Sequence, residues 1–302
     1  MKSIKSLGLL LFLVFSFNSL YAQNLKPYVL ALETTENISE LKDKLSLNLQ
    51  QNGIEVVGQY QPAKDTNRWI FIFTSPELKS AVKEVGQLTG FAASLRIAVT
   101  RENGKTLVSY TNPVYWGNAY FRNDFPKVSA RYTKLSSKLE SAMEATGSFK
   151  NLAFGSEKGL SEQKLRKYHY MFAMPYFDDT IELGSFDNFQ SAINKIETAA
   201  KEKNSNLEML YKIEIPGKNM ALYGFGINGE KGEAKFLPII DIGKPKHTAF
   251  LPYEVLVTGN EVHMLHGRYR IAIAFPDLTM GTFSKIMSTP GDIEDSLEQL
   301  VK

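Results

Sequence analysis

The stretch Leu95-Arg-Ile-Ala-Val99, Asn103-Gly104, Thr106-Leu-Val-Ser-Tyr110 reads as a β-hairpin. Its arms are rich in residues that suit a pleated sheet, and Asn-Gly supplies the positive φ angles of a tight two-residue turn. A later stretch has the same character: Leu251-Pro252-Tyr-Glu-Val-Leu-Val257, turning at Gly259-Asn260. Outward from each hairpin, the flanking elements recur in the same order. Ahead of the first lies an apolar strand, Tyr28–Leu32. A helix follows, capped by Asn37 with Glu40 three residues on, its apolar face formed by Ile38, Leu41, Leu45 and Leu49 and its end marked by Gly53. Strands over 54–57 and 69–73 and a short helix from Pro76 to Val85 lead into the hairpin. Asn112-Pro113 then breaks the pattern, and a helix after Pro126 carries Tyr132, Leu135, Leu139 and Met143.

In the later half, Tyr168–Ala173 is the predicted opening strand and Asp187 the predicted cap of a helix bearing Phe189, Ile193 and Ile196. Leu207 to Ile215 alternates apolar and polar, as a half-buried strand does. Pro216-Gly217 turns the chain into Met220–Phe225. After the hairpin, the return arm is predicted to run as one strand to Phe275-Pro276. Thr289-Pro290 opens a last helix with Ile293, Leu297 and Leu300 inward. The same order twice predicts an α+β protein of two tandem related domains, each an antiparallel sheet backed by helices. The expected division is 1–22 signal peptide, 23–147 first domain, 148–163 linker, 164–302 second domain.

Phe73-Thr-Ser-Pro76, Leu95–Val99, Asn103-Gly104, Val108-Ser-Tyr110 and Asn112-Pro113 together resemble the pattern of the family named domain of unknown function 302. The later half resembles it through Leu251–Val257 and Phe275-Pro276, without an Asn-Pro. The resemblance implies a small domain of helix-backed antiparallel sheet, and no activity.

The 302 residues hold 35 basic and 32 acidic side chains and no cysteine, with 43% hydrophobic and 22% charged residues. That composition excludes a disordered chain, a collagen-like fibre and a polytopic membrane protein. Without cysteine there is no disulfide framework, thiolate metal site or cysteine nucleophile. The near-neutral balance argues against nucleic-acid binding by counterion release. Lys2 and Lys5, the apolar run Leu7–Phe17 and Ala22-Gln23 follow the order of a secretory signal, so the mature chain is expected in the periplasm or outside the cell, with no transmembrane segment.

All four histidines and seven of nine methionines lie in the later half, which is where a site is expected. Strand alternation along the return arm places Tyr269, Ile271, Ile273 and Phe275 on one face and His266, Arg268 and Arg270 on the other. With Glu254 on the partner strand and His247 just before it, these residues suggest a groove for an anionic small molecule or a partner protein, since guanidinium forks suit carboxylate and phosphate. A second reading, a copper or haem accessory protein, rests on His169 and Met171, a thioether–imidazole pair. A third, an enzyme of unrecognised type, needs His247, Glu254 and Asp277 in one cleft. No resident cofactor is named by the sequence. Gly224-Phe-Gly226-Ile-Asn-Gly229 matches a dinucleotide fingerprint by letters only, because a strand or turn is expected there instead of a helix start. No G-x-S-x-G or H-E-x-x-H occurs. Tyr110, Tyr115, Trp116, Tyr120 and Phe121 form an aromatic cluster suited either to interdomain packing or to ligand stacking.

Overall fold

The structure, a computed structural model, describes residues 24–202 and 206–302. The expected signal segment lies outside the described residues. The first lobe runs β1 (Tyr28–Thr34), α1 (Ile38–Gln51), β2 (Glu55–Tyr60), β3 (Arg68–Thr74), α2 (Pro76–Val85), β4 (Leu95–Glu102), β5 (Lys105–Thr111), α3 (Pro113–Phe121), α4 (Phe125–Thr146) and β6 (Leu152–Phe154). A short helix, α5 (Glu162–Arg166), lies between the lobes in sequence. The second lobe runs β7 (Ile181–Ser185), α6 (Phe189–Ala199), β8 (Leu207–Glu214), β9 (Met220–Ile227), α7 (Glu233–Ile240), β10 (Tyr253–Thr258), β11 (Glu261–Met264), α8 (Gly267–Ala274), α9 (Met280–Phe283) and α10 (Thr289–Glu298).

Local chemistry accounts for the main elements. Asn37 accepts the Glu40 N–H at 2.9 Å and caps α1, whose Leu41, Leu45 and Leu49 are buried. The first hairpin turns through Asn103 and Gly104 at φ 50° and 78°, the pair of positive angles a tight hairpin turn requires. Each sheet is antiparallel throughout. The first has the order β2-β3-β4-β5-β1-β6 and the second β7-β11-β10-β9-β8. Setting β7 to β11 against β1 to β5 in chain order gives the same order in both lobes, with β6 an added edge strand.

The irregularities recur as well. In β2 the register slips between Val56 and Gly58, and in β8 it slips between Met209 and Tyr211. In β1 it slips between Leu30 and Leu32, and in β7 opposite Val262 and His263. A bulge is a specific device that bends a strand, and here it fixes the alignment of the lobes. Through the ladders, Phe73 corresponds to Phe225, Leu95 to Tyr253, Arg96 to Glu254 and Ser109 to His263. The following helices then match residue for residue, Asn112 with His266, Tyr115 with Tyr269, Trp116 with Arg270 and Ala119 with Ile273.

Several expected elements differ. Tyr168–Ala173 is irregular chain, not a strand; β7 opens the second sheet instead. Asn188, not Asp187, caps α6, accepting the Ser191 N–H at 3.0 Å. The return arm ends at Met264 and becomes α8, so strand alternation does not apply to Arg268 and Arg270. Asn112-Pro113 opens a helix: Asn112 caps α3 and Pro113 takes a first-turn position, where its missing N–H costs nothing. Residues 233–240 are helical, not a hairpin. Residues 152–154, placed in the expected linker, pair with β1.

The lobes meet across an approximate twofold relation between corresponding residues. Tyr115 donates to the Ile273 carbonyl at 2.9 Å, and Tyr269 donates to the Ala119 carbonyl at 3.5 Å, the same bond written in both directions. The bulges of β2 and β8 touch: a Cβ on Gly58 would stand 2.7 Å from the Leu210 carbonyl oxygen. Where the relation brings equivalent positions face to face, their chemistry is complementary. Arg96 pairs with Glu254, and the Arg270 guanidinium lies 5.0 Å from the Trp116 ring centroid.

Candidate functional site

The loop from 241 to 247, between α7 and β10, is pinned by Asp241. Its Oδ1 accepts the His247 N–H at 2.6 Å, and its Oδ2 accepts the Thr248 hydroxyl at 2.6 Å and is paired with Arg68 of β3. Asp241 and Arg68 are both buried, so this charge-assisted network ties the loop to the other lobe. The result is a fixed place for His247. Its ring stacks on Phe275 with centroids 4.9 Å apart, and lies 5.0 Å from Tyr28 and 5.8 Å from Phe154. Burial among these rings pushes the imidazole below its ordinary pKa against the opposing pull of Asp241, so the ring is neutral at pH 7. Its Nδ1 is buried without a hydrogen-bond partner.

His247 lines a groove of about 460 Å³ together with Lys26, Lys244, Asp277, Thr279 and Thr282. The Asp277 carboxylate accepts the Ser156 hydroxyl at 3.0 Å and the Glu157 N–H at 2.6 Å, and the rim sets the two lysines against this one carboxylate. Gly155, at φ 96°, lets the chain pass the Tyr28 ring, where a Cβ would come within 2.6 Å. The corresponding place in the first lobe is also a groove, of about 340 Å³, lined by 85–89 and 120–124. By the hairpin alignment these are the counterparts of 243–247 and 274–278. Phe177 and Asp178 complete its lining: Phe177 stacks on Tyr120 at 5.2 Å, and Asp178 pairs with Arg122 at 2.6 Å.

The expected site residues separate. Of the anion-groove set, only His247 lines this groove. Glu254 is buried between the lobes, where its carboxylate takes the Ser94 hydroxyl at 2.7 Å, the Tyr211 hydroxyl and Arg96. Tyr211 reaches it because Gly224 has no side chain; a Cβ there would be 2.0 Å from the ring. Gly224 and Gly226 of the fingerprint therefore relieve crowding on β9, and Gly229 makes a turn at φ 81°. Arg270 is buried, donating to the Phe250 carbonyl at 2.6 Å, while Arg268 is exposed. His266 caps α8 through Nδ1, which accepts the Arg268 N–H at 3.2 Å; burial and then the Arg268 charge lower its pKa. His247 and Asp277 share a groove, but Glu254 does not join them.

The pair expected to hold metal is arranged otherwise. The His169 ring stacks on Tyr176 at 4.1 Å, and its Nε2 lies 2.8 Å from the Met174 carbonyl oxygen, while Met171 is partly exposed. Among the described residues, no group of three or more His, Asp or Glu is placed to hold a metal ion. The aromatic cluster of the first lobe is buried; Tyr115, Trp116 and Tyr120 contact the second lobe, while Phe121 packs on Tyr132 within the first. Three tyrosine hydroxyls, from Tyr168, Tyr115 and Tyr28, cap the last carbonyls of α8 at Ala272, Ile273 and Ala274, at 2.9, 2.9 and 3.1 Å. A buried helix end needs such partners. Asp241 and Arg68, which place His247, left no local signal, because they act across the two lobes. The pairing of Arg96 with Glu254 did leave one, since the two sit at the same step of the matched hairpins.

The chain is similar to a solved structure described as the crystal structure of uncharacterized conserved protein DUF302 from Bacillus stearothermophilus. The match covers 38% of this chain and 95% of that one, at 18% identity and a TM-score of 0.34. No family model matches the chain. No curated protein matches it. No helix among the described residues is long and apolar enough to cross a membrane.

Proposed function

We propose that the chain is an exported binding protein, formed by duplication of one α+β unit, and that it takes a small organic anion into the His247 groove. One observation carries the reading: a neutral imidazole, clamped between aromatic rings by a loop that both lobes hold, opens onto a groove that sets Lys26 and Lys244 against the single carboxylate of Asp277. Rings offer an apolar wall for the body of a ligand, and lysines attract a carboxylate or phosphate. The recurrence of a groove at the corresponding place in the first lobe supports the location, because it makes the concavity a property of the unit.

The test is a thermal-shift and calorimetric screen of the dialysed protein against aryl and alkyl carboxylates, phosphate monoesters and sulfates. Binding by at least one class is expected, weakened about tenfold or more in Lys244→Ala/Lys26→Ala. If no class binds at millimolar concentration, or if binding survives in that double variant and in His247→Ala, the proposal fails.

A further inference from the structure

On the second lobe, beside the His247 groove and meeting it at Leu278, the segment 168–176 builds a turn with an unusual burden. Met174 N–H donates to the Met171 carbonyl at 3.1 Å and closes it, and Ala173 takes φ 63°, a left-handed conformation that favours glycine. The turn holds Phe172 out with 95% of its surface exposed. This is an ordered platform: the His169–Tyr176 stack and the His169–Met174 contact brace it, and Tyr170 is tied by its hydroxyl to the Leu278 carbonyl at 2.9 Å. Beneath the tip lies a small apolar slot bounded by Met171, Met174, Met280 and Phe283, with Arg268 at its edge. Met171 and Met280 are themselves 44% and 54% exposed. Tyr170 also borders the neighbouring cleft, of about 940 Å³, whose charged lining is Lys164, Arg166 and Lys167, with His169 and no acidic residue. Arg166 is paired with Glu162, while among the described residues no ion pair engages Lys164, Lys167 or Arg268.

We propose that this face docks the protein on an anionic lipid surface, with Phe172 inserted between headgroups and Lys164, Lys167 and Arg268 against their charges. An exposed aromatic tip beside flexible methionines suits the apolar–polar boundary of a bilayer, where an adaptable surface meets irregular lipid. The unpaired cations beside it select the sign of the surface. A rigid turn that holds a phenylalanine in water loses little conformational freedom when the ring is buried, which is the gain of pre-organisation.

Co-sedimentation with vesicles of phosphatidylcholine alone and with about one-third phosphatidylglycerol tests it, the membrane charge acting only within about a Debye length. The Leu7–Phe17 run is apolar too, so the informative reading is the change made by variants of the same chain. Binding to the anionic vesicles is expected to exceed that to neutral ones by about tenfold or more, to fall about tenfold in Phe172→Ser, and to lose its preference for phosphatidylglycerol in Lys164→Glu/Lys167→Glu. Unchanged unfolding transitions in both variants establish that the fold is intact. Equal binding to both vesicles, or equal binding by wild type and Phe172→Ser, overturns the proposal. So does sedimentation velocity showing that the face joins two copies, with a dimer dispersed by Phe172→Ser and no vesicle binding.

Discussion

Glu254→Gln probes the contact on which the two-lobed architecture turns. In the native chain, Arg96 is 1% exposed and Glu254 5% exposed, and each supplies the other's counter-charge. Burial alone would depress the Arg96 pKa, yet the Glu254 carboxylate keeps it raised. Glutamine preserves the shape and an acceptor for Tyr211 and Ser94, but it leaves a guanidinium in the interior without an anion. Removing one partner of a buried pair costs about 3–5 kcal/mol, because the remaining charge stays desolvated. For a urea slope of roughly 2–3 kcal/mol/M, the midpoint should fall by about 1–2.5 M. The double variant Arg96→Met/Glu254→Leu removes both charges, so its loss should be less than half that of Glu254→Gln, with the Ser94–Tyr211 contact at 3.1 Å still in place. The exchanged pair, Arg96→Glu/Glu254→Arg, should recover only part of the loss. Ser94 and Tyr211 stand beside position 254, and their counterparts Pro252 and Gly58 offer a carboxylate at 96 no donor. Urea titration followed by Trp fluorescence and far-ultraviolet circular dichroism measures all four proteins. A loss below about 1 kcal/mol in Glu254→Gln, or additive effects of the Arg96 and Glu254 replacements, would refute the reasoning.

Glu233 is held with a pKa of about 7, because burial outweighs the hydrogen bonds it accepts from the Ala63 N–H, Tyr60 and the Ile227 N–H. A raised carboxyl pKa means that folding favours the protonated form. Its contribution is therefore full below pH 4.5 and is lost as pH rises toward 7, about 3 kcal/mol in all, and Glu233→Gln should abolish that slope in pH-dependent denaturant titrations. Tyr115→Phe and Tyr28→Phe each strip a capping hydroxyl from the buried end of α8, and each should lower stability by about 1–3 kcal/mol, read as a shift in denaturation midpoint. Gly224→Ala places a methyl into the Tyr211 ring and should cost about 1–3 kcal/mol or more; an unchanged melting temperature would contradict the packing described for β9.

The helices α1 and α4 were legible because each has one wet face, so their period survives in the sequence, and the hairpins, although β4 and β10 are buried on both faces, were legible from their turn residues and strand-forming composition. The helices between the lobes were not. Seven of the eight residues of α8 are buried, and a helix covered on all sides shows no 3.6-residue stripe. Tyr269, Ile271 and Ile273 alternate there by accident, which is why the return arm reads as strand. α3 was hidden for the same reason, its Tyr115, Trp116, Tyr120 and Phe121 all buried. The loop carrying Phe172 reads as strand because its apolar residues resemble a core segment, although the structure turns one of them into water. The candidate site was legible at His247 and Asp277. Glu254 and Arg270 looked like ligand groups because charged residues near a hairpin suggest a wet face, whereas the second lobe's wet face is the first lobe.

That exchange of solvent for a partner explains which residues kept matching chemistry and which diverged. In a symmetric pair of identical subunits, a residue on the axis meets its own copy, so an arginine would meet an arginine and repel it in a medium of low dielectric. Joining the units in one chain lifts that restriction. Position 96 and its counterpart 254 are then free to become opposite charges, and Trp116 and its counterpart Arg270 a ring and a cation. The grooves lie off the axis and face no copy of themselves, so each answers only to what fills it. Thr89 and Asp178 in one stand where His247 and Lys26 stand in the other. Axis and groove should therefore separate experimentally. Glu254→Gln should lower stability and leave the affinity of the folded protein for its anion within about twofold, since neither Glu254 nor Arg96 lines the groove. Lys244→Ala, at an exposed position, should reduce affinity and leave stability within about 0.5 kcal/mol of the native value. If Lys244→Ala unfolds the chain, the groove is part of the shared core and not a place kept open for a ligand.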